Sequence, residues 1–188
     1  MLCPKVKLDE IPPQCRRAVA WAWDHVSDFG ATADNFYILG HSAGAHLTAW
    51  MMATDWPAYD ARYPKDMIKA AAPISGLYDF EPIRHTSENR GEGTNAGFGL
   101  NIESAEEARA VSLIDPPPVT QAPQLIGWGS KESDEFRRQN EEQYARLQET
   151  STPVSALIVP DQDHFDMCDV IGNENSELVA RILKMLSD

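Results

Sequence analysis

The sequence predicts an α/β fold in which a mostly parallel sheet is covered by helices on both faces. Two observations carry this prediction. Short β-prone apolar runs alternate along the chain with longer segments whose apolar residues recur at helical spacing. The composition, 43% hydrophobic and 24% charged, is that of an ordinary globular protein.

The elements follow one another in strand and helix order. Residues 12–27 predict a helix that Gly30 closes, and residues 36–39 predict a strand that stops at Gly40. Residues 43–54, rich in Ala, Leu, Trp and Met, predict the next helix. The alternation then returns as strands at 68–74, 124–128 and 154–159, and as helices at 135–148 and 176–186.

Residues 75–122 interrupt this pattern with Gly, Asn, Glu and Pro, and we interpret them as a lid-like excursion. Only residues 104–113 predict a helix there, capped by Ser104 with Glu107 three residues later. The Asp-Pro-Pro-Pro run at 115–118 fits a rigid loop that leads into the next strand, and a stiff linker between domains is the alternative.

Length and charge limit the classes of protein. A chain of 188 residues suits one domain, covering residues 1–188. The net charge of -13 argues against nucleic acids and anionic membrane surfaces as partners, because both attract Lys and Arg. Cys3, Cys15 and Cys168 lack the spacing of a disulfide framework or a zinc site, and no export signal or membrane span is evident. We therefore expect a cytoplasmic enzyme without a metal.

The firmest candidate for chemistry is Ser42, the centre of a G-x-S-x-G motif. The motif lies between a predicted strand and a predicted helix, which is the nucleophile elbow of an α/β-hydrolase fold. Glycines at positions 40 and 44 are expected there because the turn is tight. A glycine-flanked serine that only caps a helix is the alternative.

A serine nucleophile needs a histidine base, which follows it in this fold. His25, His41 and His46 precede the serine or lie too near it, which leaves His85 and His164. His164 is favoured because it follows the last predicted strand. The alternatives are a surface histidine held by neighbouring aspartates and a metal-binding acidic loop.

The acid is expected in the loop after the strand at 124–128. Glu132, Asp134 and Glu135 compete for this role. Glu135 fits a first-turn acid that interacts with the helix dipole. Glu132 ranks first because it is nearest to the strand end, and Asp134 ranks second.

Four blocks of the chain resemble the kynurenine formamidases: GHSAGAHL at 40–47, SGLYD at 75–79, ESDEFRRQ at 132–139 and DHF at 163–165. The resemblance implies hydrolysis of N-formyl-L-kynurenine to formate and L-kynurenine, without a cofactor. It places Ser42, Glu132 and His164 on the triad positions, although many members have aspartate where Glu132 stands. Tyr78 either contacts the aromatic substrate or packs within the excursion. The family type also allows a homo-oligomer.

An oxyanion hole needs two donors, of which the backbone N–H of Ala43 is one. The His-Gly-Gly-type loop that supplies the other is not in this sequence, and the resemblance implies N-terminal strands that are missing here. We expect an unpaired edge on the strand at 36–39, self-association and low activity. A short-chain carboxylesterase and a non-catalytic or impaired hydrolase-like module are the competing functions.

Overall fold

A computed structural model describes residues 2–92, 99–114 and 119–187 of the chain. The chain divides into two compact units. The first comprises Met1–Asp24 and Tyr78–Asp115, and the second comprises His25–Leu77 and Pro116–Asp188. The expected single domain and the lid role of residues 75–122 remain predictions. The Asp-Pro-Pro-Pro run lies outside the described residues.

The described helices and strands follow the predicted alternation. The α-helices are, in chain order, α1 (Ile11–Asp24), α2 (Ala43–Met52), α3 (Trp56–Tyr59), α4 (Ser87–Arg90), α5 (Ala105–Val111), α6 (Asp134–Gln148), α7 (Asp166–Gly172) and α8 (Glu177–Ser187). The strands are β1 (Tyr37–His41), β2 (Ala70–Ile74), β3 (Gln124–Gly129) and β4 (Val154–Val159). Short 3-10 helices lie at Leu8–Glu10, Val26–Phe29, Ala33–Asn35 and Ile83–His85.

The second unit contains a parallel sheet with the strand order β1-β2-β3-β4. β1 pairs with β2 from Tyr37 opposite Ala70 to His41 opposite Ile74. All four strands therefore point their carboxyl ends to the same edge, where loops from different parts of the chain meet. The predicted α/β fold is confirmed.

Helices cover both faces of this sheet. One buried cluster joins β2, β3 and β4 to α7 and α8: Ala72, Ile74, Leu125, Leu157, Met167 and Leu178. The other joins β3 to α6: Ile126, Trp128 and Leu147, with Tyr144, Val154 and Ala156 packed against it. Successive residues of β3, Leu125 and Ile126, belong to different clusters because side chains alternate across a strand.

Some element bounds differ from the prediction. β1 does not stop at Gly40 but continues through His41, because its pairing with β2 extends to Ile74. The short helix α7 was not predicted. Its seven residues include three aspartate or glycine positions, and it is held by burial of Met167 in the core rather than by helix propensity.

β1 lies at one end of the sheet order, and within the described ranges β2 is its one neighbouring strand. The expected open strand edge is therefore present in these residues, and self-association remains a prediction.

The first unit contains α1, α4 and α5. The predicted cap of α5 is confirmed, since the Ser104 hydroxyl accepts a hydrogen bond from the Glu107 N–H at 3.1 Å. The side chain of buried Asn89 connects two segments of this unit, because it accepts a hydrogen bond from the Ile102 N–H at 2.7 Å and donates one to the Ile102 carbonyl at 2.9 Å.

No helix among the residues described is long and apolar enough to span a membrane.

Candidate active site

Ser42 lies at the turn between β1 and α2 and is held in a strained conformation. Its φ of 57° and ψ of -119° are rare for a residue with a side chain. Its N–H donates to the Ile74 carbonyl of β2 at 2.9 Å. The turn therefore presents the serine at the carboxyl edge of the sheet, as a nucleophile elbow requires.

The two glycines of the motif have different reasons to be there. A Cβ on Gly40 would lie 2.2 Å from the Gly44 carbonyl oxygen, so position 40 tolerates no side chain. A Cβ on Gly44 would have nothing within 4 Å among the described residues. The steric expectation is thus confirmed for Gly40 and wrong for Gly44, whose backbone rather than its missing side chain makes the close contact.

His164 follows β4, and its ring touches the other two predicted site residues. Its Nε2 lies 2.9 Å from the Ser42 Oγ, and its Nδ1 lies 3.2 Å from the Glu132 Oε2. Since a carboxylate accepts, Nδ1 carries the proton and Nε2 is left to accept from the serine. This is the tautomer that a base for Ser42 needs.

The neighbouring aspartates do not hold His164. Asp163 accepts hydrogen bonds from the Phe165 and Asp166 N–H groups, and Asp161 pairs with Lys131 at 3.0 Å. Among the described residues, no group of three or more His, Cys, Asp and Glu side chains is placed to hold a metal ion. These contacts support neither a surface histidine held by neighbouring aspartates nor a metal-binding acidic loop.

Of the three candidate acids, the structure brings only Glu132 to the histidine. Its side chain is fully buried. The Asp134 side chain is 98% exposed and pairs with Arg137. Glu135 lies in the first turn of α6 and binds Arg138, as expected of a first-turn acid.

Three donors keep Glu132 ionised despite its burial. Burial alone would raise the pKa of its carboxyl group. Hydrogen bonds from His164, from the Gly129 N–H at 2.9 Å and from the Ser75 hydroxyl at 2.5 Å outweigh burial, and the pKa lies below its ordinary value. A carboxylate therefore faces the His164 Nδ1.

The loops that carry Glu132 and His164 are bonded to each other. The Lys131 N–H donates to the Gln162 carbonyl at 2.9 Å, and the Asp161 N–H donates to the Ser130 hydroxyl at 2.8 Å. The acid and the base are thus positioned by one shared backbone network at the ends of β3 and β4.

Aromatic rings surround the His164 imidazole. The centroids of Phe136 and His41 lie 4.2 and 4.7 Å from its centroid, and Phe165 makes an edge contact at 5.6 Å. Burial and the nearby His164 lower the pKa of His41, so that its ring remains neutral beside the base. His41 Nδ1 also contacts the Cys168 Sγ at 3.5 Å.

The remaining histidines considered lie outside this arrangement. Burial lowers the pKa of His46 to about 4, and its Nδ1 donates to the Leu77 carbonyl at 3.0 Å. His85 is exposed and contacts Glu81.

Ala43, the predicted oxyanion donor, is the first residue of α2, so its N–H has no acceptor within that helix.

Sequence reasoning missed Ser75 and Asn140 as parts of this site. Asn140 on α6 is fully buried and forms two hydrogen bonds with the backbone of Gly76. Its side chain accepts one from the Gly76 N–H at 3.0 Å and donates one to the Gly76 carbonyl at 3.1 Å. The SGLYD block was the available signal for Ser75. The sequence offers no comparable signal for Asn140, which is one polar residue within a polar helix.

The chain is similar to known hydrolases over nearly its whole length. Residues 1–167 match a family described as having the alpha/beta hydrolase fold. The chain is 33% identical to a kynurenine formamidase of Danio rerio, covering 98% of this chain and 59% of that protein. It is 29% identical to a kynurenine formamidase of Salmo salar, covering 98% and 60%. Thus the chain spans about three fifths of the length of these curated relatives.

Solved structures agree with this fold. A protein assigned as a thioesterase from Silicibacter sp. tm1040 superposes with a TM-score of 0.71 at 26% identity, covering 95% of this chain and 60% of that one. The carboxylesterase EstE1 from a metagenomic library superposes with a TM-score of 0.67 at 15% identity, covering 97% and 63%. With its elbow serine and parallel sheet, this chain belongs to the α/β-hydrolase fold family, and it resembles the kynurenine formamidases within it.

Proposed function

We propose that this chain is part of a serine hydrolase that cleaves N-formyl-L-kynurenine to formate and L-kynurenine. One observation carries the proposal: an unbroken series of hydrogen bonds leads from Ser42 through His164 to buried Glu132. The strained backbone of Ser42 supports the same role. Similarity to kynurenine formamidases over 98% of the chain favours a formyl group as the acyl part.

In the proposed first step, the Ser42 Oγ attacks the formyl carbon while His164 Nε2 takes the hydroxyl proton. The Ala43 N–H is one donor to the oxyanion that forms. His164 then returns the proton to the arylamine nitrogen as the carbon–nitrogen bond breaks, and L-kynurenine leaves. Glu132 stabilises the transient imidazolium through its Oε2.

In the second step, water attacks the formyl ester on Ser42 and His164 accepts the proton of that water. Collapse of the intermediate releases formate and returns the proton to the serine oxygen. Each half-reaction therefore uses the same base, and neither needs a cofactor.

The second candidate function is a carboxylesterase for short acyl esters. The observation that favours it is 37% identity over 76 residues to Esterase LipQ of Mycobacterium tuberculosis, covering 39% of this chain and 18% of that protein. The hydrogen-bonded side chains suit ester and formamide cleavage equally, because both proceed by acyl transfer to serine.

Substrate comparison tests the proposal. The purified chain would be assayed with N-formyl-L-kynurenine and with p-nitrophenyl acetate, beside Ser42→Ala and Ser155→Ala, which changes an exposed serine of β4. We expect slow kynurenine release, in keeping with the low activity expected of this chain, which Ser42→Ala abolishes and Ser155→Ala retains. Hydrolysis of the ester alone would contradict the formamidase and favour the esterase.

Fluorophosphonate labelling with peptide mapping tests the nucleophile separately. We expect the adduct on Ser42. Absence of any adduct would favour a non-catalytic module that binds a ligand, and an adduct on another residue would contradict the assignment of Ser42.

A cytoplasmic location and a small-molecule substrate are also proposed. Cys3, Cys15 and Cys168 are free thiols, the state that a reducing compartment maintains. The net charge of -13 supports a partner other than nucleic acid. A homo-oligomer remains a prediction.

A further inference from the structure

Ser75 lies in an unusual position directly after β2. It is completely buried, and its φ of 54° lies in the left-handed region, which is unfavourable for a residue with a side chain. Glycine would adopt this backbone without that cost. The hydroxyl of Ser75 donates to the Glu132 Oε1 at 2.5 Å.

The two oxygens of Glu132 have different partners. Oε1 accepts from the Ser75 hydroxyl and from the Gly129 N–H at 2.9 Å, and Oε2 accepts from His164 Nδ1 at 3.2 Å. The terminal torsion of a glutamate is broad, so the chain geometry alone does not fix the carboxylate plane. Two donors on Oε1 fix this plane and leave Oε2 toward the histidine.

Ser75 is itself held on both sides. Its N–H donates to the Gly127 carbonyl of β3 at 2.7 Å. The next residue, Gly76, is bonded through its N–H and its carbonyl to buried Asn140 of α6. The hydroxyl therefore projects from a backbone that the sheet and α6 both restrain.

We propose that Ser75 is a positioning residue that sets the orientation of the Glu132 carboxylate and, through it, of the His164 ring. This inference rests on the proposed hydrolase function for its catalytic consequence. Its structural part, the control of the Glu132 to His164 hydrogen bond, is measurable without any substrate.

The test compares the unmodified chain with Ser75→Gly, Ser75→Ala and Ser112→Ala. Glycine accepts the left-handed backbone, so Ser75→Gly removes the hydroxyl with the least strain. Ser112 is a matched control: it is also buried, and its hydroxyl accepts from the Phe80 N–H at 2.9 Å and donates to the Ala108 carbonyl at 2.7 Å. The readouts are the low-field proton signal of His164 Nδ1, the rate of Ser42 labelling, and kcat and KM.

For Ser75→Gly we expect the His164 Nδ1 signal to shift or broaden and Ser42 labelling to slow. Loss of one hydrogen bond to a charged group corresponds to about 10- to 100-fold in kcat, with KM within about twofold. Ser112→Ala should leave the signal and the labelling rate unchanged. Melting curves identify variants that have lost their fold. If Ser75→Ala does not fold, Ser75→Gly alone tests the positioning role of Ser75.

An unchanged His164 signal and an unchanged labelling rate in Ser75→Gly would overturn the inference. The same follows if the unmodified chain gives no such signal, because the hydrogen bond to be positioned would then not exist. If neither N-formyl-L-kynurenine nor p-nitrophenyl acetate is hydrolysed, but the His164 Nδ1 signal changes in Ser75→Gly and not in Ser112→Ala, the proposed function fails and the positioning role stands.

Discussion

Gly129 at the end of β3 and Gln162 after β4 approach each other so closely that a single carbon atom would not fit between them. A Cβ on Gly129 would lie 2.3 Å from the Gln162 carbonyl oxygen. The same carbonyl accepts from the Lys131 N–H at 2.9 Å. This backbone contact connects the loop of Glu132 with the loop of His164, so the distance between acid and base depends on a residue without a side chain.

We predict that Gly129→Ala separates these two loops. The added methyl group meets backbone rather than a movable side chain, and such overpacking costs about 1–3 kcal/mol of unfolding free energy. The rate of Ser42 labelling should fall by at least about tenfold. Urea titration and labelling kinetics measure the two effects.

Gly172→Ala is the control for this change, because a Cβ on Gly172 meets nothing within 4 Å in the part of the chain that the structure describes. It should label as fast as the unmodified chain. Equal labelling rates for both alanine variants would contradict the role of the Gly129 contact.

The two glycines of the elbow should respond differently to alanine. In Gly40→Ala the new carbon would lie 2.2 Å from the Gly44 carbonyl and 2.7 Å from the Thr48 Oγ1, so the turn cannot keep its shape. We expect loss of Ser42 labelling and a lower melting temperature. Gly44→Ala should fold and keep a labelling rate within about threefold of the unmodified chain, since an open position costs little on substitution. Loss of folding in Gly44→Ala would show this asymmetry to be wrong.

Glu132→Gln should inactivate the site, and Asp134→Asn should not. A glutamine amide can donate to the His164 Nδ1 and so stabilise the tautomer whose Nε2 carries the proton, which cannot accept from Ser42. A loss of about a thousand- to ten-thousandfold in kcat is the scale expected for an acid in this role. Asp134 is almost fully exposed, so its change should alter kcat by less than about twofold. Ester hydrolysis measures kcat for both variants. An equal loss of kcat in the two variants would contradict the assignment of Glu132 as the acid that pairs with His164.

Buried His46 should make the protein less stable as the pH falls below neutral. Its Nδ1 donates to Leu77 and its Nε2 accepts from the Trp50 indole at 3.1 Å, so protonation would place a second N–H against that donor. Burial lowers the pKa from 6.5 to about 4 in the folded chain. The unfolded chain therefore binds the proton first, and stability is lost as the pH falls from 6.5 toward 4.

Between pH 7 and pH 5 this corresponds to about 2 kcal/mol. Urea unfolding at several pH values would measure the slope. His46→Gln should lower stability at neutral pH but flatten the dependence of stability on pH. An equal slope in His46→Gln would contradict the assignment to His46.

The order of the fold was predictable because each strand and each long helix carries its own periodicity. β4 matches its predicted range at Val154–Val159, and Ser104 caps α5 as expected. The observed elements differ from the predicted ones where contacts with neighbouring elements determine their bounds. β1 extends to His41 because β2 continues beside it, and α7 forms because Met167 enters the core.

The site was predictable to the extent that its signals are local. The G-x-S-x-G motif and the position of His164 after a strand both lie in the sequence itself. The distance to the strand end alone ranks Glu132 above Asp134, and the structure adds the reason, since the Glu132 side chain is buried and the Asp134 side chain faces solvent.

The alternation of strands and helices and the elbow around Ser42 follow from the order of amino acids alone, because periodicity and turn geometry act between near neighbours in the chain. The folded chain is needed to show that Ser75 and Gly129 hold the Glu132 carboxylate, and that Gly40 rather than Gly44 lacks room for a side chain. These relations depend on distances between segments that the fold brings together across parallel strands, and such distances leave no periodic trace in the sequence.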